Sequence, residues 1–285
     1  MEFCPYVDQV WVDPRPKFWD LPGLFVLRRR LRHARFSRVY DLQNSDRTCL
    51  YFWLFSPHRP EWVGTALGAS HRNTSKERTR GRAFDGHVQT LALADIQGIT
   101  ADPLDWLRGD AHIFKPTRPY VLMVPGSSPQ HLIKRFPADC YRDIAKRLGP
   151  AGYDVVIVGA PDEQNLAESI AQGLSHVHNL CGQTAMTDLP MLARRACAAV
   201  GNDTGPMHVF GVTGCPVLTL FDTRASTPAR HQPLGPASTA LAVADLQTLD
   251  AETAYASLLK ILRPAPALME PARGPVPEEK SATSQ

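Results

Sequence analysis

The sequence holds no paired-cysteine motif and no long apolar run. Its six cysteines, Cys4, Cys49, Cys140, Cys181, Cys197 and Cys215, are scattered without a CxxC among them. Several sit in apolar stretches, where a thiol behaves as a small hydrophobe. That usage argues against a disulfide framework and fits the reduced cytosol. The opening residues, MEFCPYVDQVWVDPRPKFWD, have neither a basic segment leading into an apolar core nor a stretch of membrane-spanning length. The sequence therefore predicts neither a signal peptide nor a transmembrane helix. An excess of one charge is missing too: 31 Lys and Arg stand against 28 Asp and Glu, a net of +3. Nucleic-acid binding normally shows a stronger and more clustered basic balance, so no nucleic-acid partner is expected. No internal repeat is evident. His176, His178 and Cys181 fall together in HVHNLC, but strand alternation accounts for the two histidines and a fourth ligand is missing, so no metal site is expected.

At 285 residues and 44% hydrophobic, the chain has material for two ordinary domains, each with its own core. From about Arg118, short Val-, Leu- and Ile-rich runs alternate with segments of helical periodicity. YVLMVPG (120–126) predicts a strand, and PADCYRDIAKRL (137–148) a helix with Pro137 at its first position and Gly149 closing it. Then follow DVVIVGA as strand, PDEQNLAESIAQGL as helix, HVHNLCG as a weaker strand, TDLPMLARRA as helix, AAVGN as strand, a short helix from Thr204, and PVLTLF as strand. Five near-continuous apolar strands separated by helices predict a doubly wound parallel sheet. Ligands of such sheets bind at the carboxyl ends of the strands. Residues 1–115 are less regular, with VWVD and RVYDLQ as strand candidates and PGLFVLRRRLRHA as an amphipathic helix between them. HRNTSKERTRGRAFDGH (71–87) reads as an exposed loop leading into the helix HVQTLALADIQ. Residues 1–115 and 116–263 are the expected domains, and the Pro-rich segment 264–285 the expected disordered tail.

Three loops fall at the carboxyl edge of the second half. In GNDTGPMH (201–208), Asn202 or Asp203 is placed to cap a helix with Pro206 in its first turn. The unpaired amides and partial positive charge of a helix start suit a phosphate, and Gly205 lets it approach the backbone. His208 lies four residues after Thr204, on the same helical face, and adds a donor. A capped surface helix with a solvated His is the alternative. In the loop PGSSPQHLIKRFP (125–137), Ser127 and Ser128 supply hydroxyl and amide donors and Lys134 a mobile cation, together a diphosphate clamp. In GAPDEQ (159–164), Asp162 and Glu163 are carboxylates suited to ribose hydroxyls or, alternatively, to the helix dipole.

The segments VPGSSPQHLIKRFP, VVIVGAPDE, NLCGQTAMTDLPMLARRACAAVGNDTGPMHVFGVTGCPVLTLF, VYDLQNSDRTCLYFWLF and RPEWVG resemble the heptosyltransferase-like family of inverting glycosyltransferases, over about residues 5–222. The resemblance implies a GT-B type fold, with two Rossmann-like doubly wound domains facing across a cleft. It implies metal-independent transfer of a heptose, or a similar sugar, from an ADP-activated donor to lipopolysaccharide core or a related glycan. The ADP-sugar is then a substrate and no cofactor is needed. Residue by residue, it assigns Ser127, Ser128 and Lys134 to the donor diphosphate, Glu163 to the ribose and Met186 to the adenine. Asp203, Thr204, Gly205 and His208 fall in the loop that grips phosphates and sugar.

Two departures carry consequences. Family members open with a strand and a GDxxLxTP-type loop whose Asp is the expected general base, and that unit does not precede EFCPYVDQVWVD, which reads as an incomplete N-terminal domain. Asp41 and Asp46 in DLQNSDRT are the substitute candidates. The alternative is a catalytically inactive remnant that binds nucleotide sugar. LFDTRASTPARH (220–231) also replaces the usual Gly-Pro-Thr turn and Asp-Pro, which unsettles donor-sugar contacts there. Finally, Arg28, Arg29, Arg30, Arg32, Arg35 and Arg38 crowd around an apolar face formed by Leu24, Phe25, Leu27 and Leu31. That pairing suits an anionic glycolipid acceptor or peripheral contact with the inner face of the cytoplasmic membrane. An ordinary helix with a solvated face is the other reading.

Overall fold

The computed structural model describes residues 4–110 and 112–264. Residues 265–285, and with them nearly all of the expected tail, lie outside the described residues. The chain builds two parallel sheets, one of three strands and one of six. The first contains β1 (Arg38–Tyr40), β2 (Glu61–Gly64) and β3 (His71–Arg72), in that order. Three helices accompany it: α1 (Leu21–His33), α2 (Asp46–Leu54) and α3 (Ala83–Ala92). Asp20 starts α1 by accepting from the Gly23 amide at 3.0 Å. Ser45 and Thr48 start α2 through a reciprocal capping box. Phe52, Phe55, Trp62 and Ala66 form the small core beneath.

Three expectations for this half are corrected. VWVD forms no strand: Val12 is 79% exposed, and Pro14 and Pro16 follow at once, each without an amide to offer a ladder. Segment 71–87 is not a simple loop, since it holds β3, a 3₁₀ turn at Lys76–Thr79 and the start of α3. In α1, Leu27 is buried and Leu24 and Leu31 half-buried, whereas Phe25, expected beside them, is exposed.

In the second half, β4 (Tyr120–Val124), α4 (Ala138–Leu148), β5 (Asp154–Ile157), α5 (Gln164–Ala171) and β6 (Val177–Asn179) follow one another. Then come α6 (Leu189–Arg195), β7 (Ala198–Asn202), α7 (Gly205–Val212), β8 (Val217–Asp222), α8 (Pro228–His231), β9 (Ser238–Val243) and α9 (Ala251–Leu259). The sheet order is β6-β5-β4-β7-β8-β9, all parallel. The chain runs outward from β4 to one edge, then returns to β7 on β4's other side, so the strand order reverses between β4 and β7.

Alternation along the strands divides the core. Val121 and Met123 face α4, α5 and α9 together with Val155, Ile157 and Val200. Tyr120, Leu122 and Val124 face α6 and α7 with Val156, Val158 and Ala199. The buried residues of α4 are Tyr141, Ile144, Ala145 and Leu148, the i, i+3, i+4, i+7 set of a one-sided helix. Pro137 is the cap residue of α4, one position ahead of the expected first turn. Gly149 does close α4, yet its φ of −57° is right-handed. It is glycine because the His176 ring occupies the place of a Cβ. A sixth strand, β9, was not expected. STALAV opens with two polar residues and continues in a run half made of alanine along a half-exposed edge, so the Val-, Ile- and Leu-rich signature of buried strands is weak.

Asn202 ends β7 fully buried. Its carboxamide donates to Pro125 O at 2.8 Å and Gly126 O at 3.1 Å. It accepts from Phe136 N at 3.1 Å and Tyr141 Oη at 3.0 Å. Asn202→Ala strands these groups in a dry interior and is expected to cost about 2–4 kcal/mol. Urea unfolding should show a lower midpoint at unchanged slope, and an unaltered midpoint would contradict this role.

Candidate functional site

At the carboxyl edge of the six-stranded sheet lies a cavity of about 330 Å³. Ser127 and Ser128 line it from the loop after β4, Glu163 from the turn after β5, Met186 from the loop before α6, and Thr204 and Gly205 from the start of α7. Six of the nine residues expected to hold a nucleotide sugar therefore border one cavity. Lys134, Asp203 and His208 do not line it; they form an adjoining charged group. Lys134 Nζ meets Asp203 Oδ2 at 2.7 Å, and His208 Nε2 lies 3.9 Å from Asp203 Oδ1.

Glu163 is seated by two glycines. A Cβ on Gly126 would overlap its carboxylate, and one on Gly159 would meet Oε2 at 2.5 Å. These close approaches carry the carboxylate into the crotch between β4 and β5. There it accepts from the Ala160 amide at 2.9 Å and faces Arg135 at 3.9 Å. Burial and the Glu163 carboxylate together push the Cys181 thiol up to about 12, which leaves that cysteine protonated and inert.

At α7 the structure corrects the expected cap. Thr204 is the cap residue and no side chain caps the helix. Asn202 instead turns back to the β4 loop, and Asp203 pairs with Lys134. The open helix start faces the cavity with its partial positive charge unspent. His208 is held below its ordinary value by burial, with His231 and Lys134 adding to the effect and Asp203 opposing it.

Residues that sequence reasoning missed hold this edge together. Arg135 donates to Ser127 Oγ at 3.1 Å and to Ser127 O at 2.8 Å while facing Glu163. Asp188 is buried and accepts from Ala185 N at 2.7 Å and Asp110 N at 2.9 Å, which fixes the loop bearing Met186 to the segment that joins the two halves. Met186 itself is 60% exposed at the cavity's border. Arg135 was legible as a second cation beside Lys134; nothing local marked Asp188.

In the first half, Asp41 follows β1 at the carboxyl edge of its sheet. It is buried, and its Oδ1 accepts from Asn44 N at 2.9 Å. Its Oδ2 has no partner, nor do the nearby Asn44 Oδ1 and Trp62 Nε1. Asp46 is exposed in the first turn of α2, where it complements the helix dipole. At the end of β8, Asp222 is buried and its pKa is drawn down to about 2, foremost by the Arg224 guanidinium. The loop that replaces the Gly-Pro-Thr turn is thus organised by an ion pair. His176 Nε2 bonds Ala145 O at 2.8 Å and His178 Nε2 faces Asp154 at 3.4 Å. Among the described residues no group of three His, Cys, Asp or Glu forms a metal site, and no helix is long and apolar enough to cross a membrane.

The parallel sheet, with its strand order reversing between β4 and β7 and an open helix start at that point, places this half in the doubly wound α/β class, whose ligands bind at the reversal. Residues 24–260 match the family model described as glycosyltransferase family 9 (heptosyltransferase), and the chain belongs to that family. It is 28% identical over 220 residues to lipopolysaccharide heptosyltransferase 2 of Salmonella typhimurium, covering 68% of this chain and 63% of the relative. The chain therefore spans less than two thirds of that relative's length. Its fold resembles that of the E. coli ADP-heptose lps heptosyltransferase II, with a TM-score of 0.65 and 23% identity over 85% of this chain and 81% of that one. It also resembles the glycosyl transferase family 9 structure from Veillonella parvula, with a TM-score of 0.66 and 22% identity over 92% and 78%.

The His208 environment has a measurable consequence. Its imidazole should titrate below 6.5 in an NMR pH series. Asp203→Asn should move the midpoint lower still, since it removes the one influence that favours the charged ring. A midpoint that rises in the variant would contradict the assignment.

Proposed function

We propose that the chain binds an ADP-activated heptose, or a similar nucleotide sugar, at the edge of the six-stranded sheet and transfers the sugar with inversion to lipopolysaccharide core or a related glycan. The observation that carries this reading is the convergence on one cavity of the Glu163 carboxylate, the serine pair and the open start of α7. In this reading Glu163 accepts from the ribose hydroxyls, and Met186 covers the adenine. Ser127, Ser128 and the α7 amides take the diphosphate. Lys134 exchanges its Asp203 partner for a phosphate oxygen, and Asp203, Thr204, Gly205 and His208 border the sugar end.

Departure of ADP builds negative charge on the diphosphate, and fixed donors aimed at that charge stabilise the transition state more than the ground state. The acceptor hydroxyl must lose a proton to a base on the opposite face. Of the two carboxylates proposed for that step, Asp41 has the unspent oxygen at a sheet edge, whereas Asp46 serves a helix start. The second reading, a protein that binds the nucleotide sugar without transferring it, is separated by acceptor-dependent ADP release. Turnover with a lipopolysaccharide-core acceptor supports transfer; tight ADP binding without turnover supports binding alone.

Lys134→Ala is expected to weaken ADP binding by calorimetry tenfold or more, about 1.5–3 kcal/mol for a lost charge-assisted contact. Asp203→Ala removes the carboxylate that a phosphate must displace from Lys134 and should not weaken ADP binding. Unchanged affinity in Lys134→Ala removes the clamp.

The same reading extends to the acceptor's membrane. Arg29, Arg32 and Arg35 stand exposed around exposed Phe25, while Arg28 and Arg38 are committed to Ser56 O and Glu61. Basic residues near an anionic surface contribute about 1 kcal/mol each. Charge reversal of the three free arginines should therefore abolish pelleting with phosphatidylglycerol vesicles, and undiminished pelleting removes this contact.

A further inference from the structure

The loop between β6 and α6 borders the cavity with Thr184, Ala185 and Met186, and its two ends are held differently. Its first part belongs to the sheet edge: Gly182 N donates to Gly159 O, Cys181 N to Asn179 Oδ1 and Gln183 Nε2 to Asn179 O, each at 2.9 Å. Its last part is closed on one side chain. Asp188 Oδ2 accepts from Ala185 N at 2.7 Å, while Asp188 N donates to Ala185 O at 3.0 Å. Residues 185–188 thus form a reciprocally bonded turn that carries Met186.

Asp188 stands at the cap position of α6 without capping it. An aspartate there normally accepts from the second or third amide of its own helix, but the second residue is Pro190, which has no amide to give. Both carboxylate oxygens are committed elsewhere. Oδ2 turns back to Ala185, and Oδ1 accepts from Asp110 N at 2.9 Å, 78 residues away in the chain.

The segment that supplies Asp110 is fitted to this carboxylate. A Cβ on Gly109 would stand 2.4 Å from Asp188 Cα, 2.6 Å from its Oδ1 and 2.8 Å from Thr187 O, so only a glycine lies this close. On either side the segment is fastened to the second half. Arg194 of α6 donates to Pro103 O at 3.0 Å and pairs with Asp105 at 3.2 Å, and Ile113 and Phe114 enter the core under α6 and α7. Between these points Trp106 meets Tyr6, from the start of the first half, edge-on with centroids 6.2 Å apart. The stretch that leads out of the first half therefore presses directly on the turn that borders the cavity.

We propose that Asp188 is a positioning residue for the nucleotide end of the cavity, and that it makes the seat of Met186 depend on the segment 103–110. The identity of the nucleotide rests on the donor reading above; the clasp does not. Asp188 acts through the Ala185 amide, which fixes the turn whose Thr184 and Met186 side chains border the base end. It is buried, so releasing either amide leaves an unmade hydrogen bond away from water. Displacing the segment therefore displaces the turn, whereas the serine loop and the α7 start, joined through Asn202, stay in place. The base end and the phosphate end of one ligand thus have separate supports.

The test uses the intact chain with two probes, ADP and inorganic pyrophosphate, titrated by calorimetry. Gly109→Ala alters no cavity-lining residue and removes no hydrogen-bonding group, yet it drives segment and turn apart. It should weaken ADP about fivefold or more, the worth of one supporting hydrogen bond, and leave pyrophosphate within about twofold. Asp188→Ala should show the same split with a larger loss. Asp188→Asn, whose single oxygen serves one amide of the two, should fall between it and the unaltered chain. Where Asp188→Ala does not fold, the other two variants carry the test. A role in stability alone lowers both affinities together or neither, and either result overturns the proposal. Failure of the unaltered chain to bind ADP removes the donor reading. In that case, or where pyrophosphate binds too weakly to titrate, the positioning is judged by amide exchange at Ala185. Gly109→Ala should speed it about tenfold through local opening, and an unchanged rate overturns the clasp.

Discussion

The carboxamide of Asn202 sits where the strand order reverses, and its four hydrogen bonds join the end of β7 to the exit of β4 and to the start of α4. A parallel sheet opens a crevice at such a point because adjacent connections leave in opposite directions. Without a tie the two connections would be free to drift, each on its own loop. Asn202 removes that freedom with both donor and acceptor groups of one side chain, in a place water does not reach. The serine loop, the Glu163 turn and the α7 start consequently share a fixed frame. Hydrogen bonds internal to the fold hold the cavity's walls, and a site held in this way lowers the ordering cost of binding.

The charges around this frame are matched in pairs. Lys134 has Asp203 and Arg135 faces Glu163, so these two buried-edge cations are each matched by a carboxylate. A phosphate entering must compete with a carboxylate already 2.7 Å from Lys134. The net gain is then a difference between two ion contacts, not the full worth of one, and a large share of the affinity must come from uncharged donors at α7 and the serine loop. Asp203 is nearly buried, so loss of Lys134 leaves an uncompensated carboxylate, and this cost falls on stability as well as binding.

How much of this was legible in the sequence follows from how local each signal is. The strands β4, β5, β7 and β8 are apolar on both faces, and α4 repeats its apolar residues at helical spacing; both patterns are complete within a dozen residues. GNDTGPMH marked a loop that does border the cavity but not the cap of its helix, because the Asn202 side chain bonds some 76 residues back in the chain. The edge strand β9 has an alanine-rich run after two polar residues, weaker than the Val-, Ile- and Leu-rich runs of the buried strands, and VWVD has a run without a partner strand. Segment 71–87 looked like a loop because its order comes from Gln89 and Thr90 on α3 rather than from its own composition. Gly126 and Gly159 were visible as residues, yet their meaning, space for the Glu163 carboxylate, exists only once β4 and β5 are side by side.

The contact between the halves at α8 bears on how the first half can vary. Arg230 grips two backbone carbonyls, and Gly86 supports the same turn from the other side by lacking a side chain. Neither contact depends on which side chains residues 78–81 carry. Side chains at residues 78–81 can therefore be exchanged without loosening the turn, whereas replacing Arg230 or Gly86 shifts it. Main-chain contacts thus decide where this turn of the first half lies relative to α8 of the second.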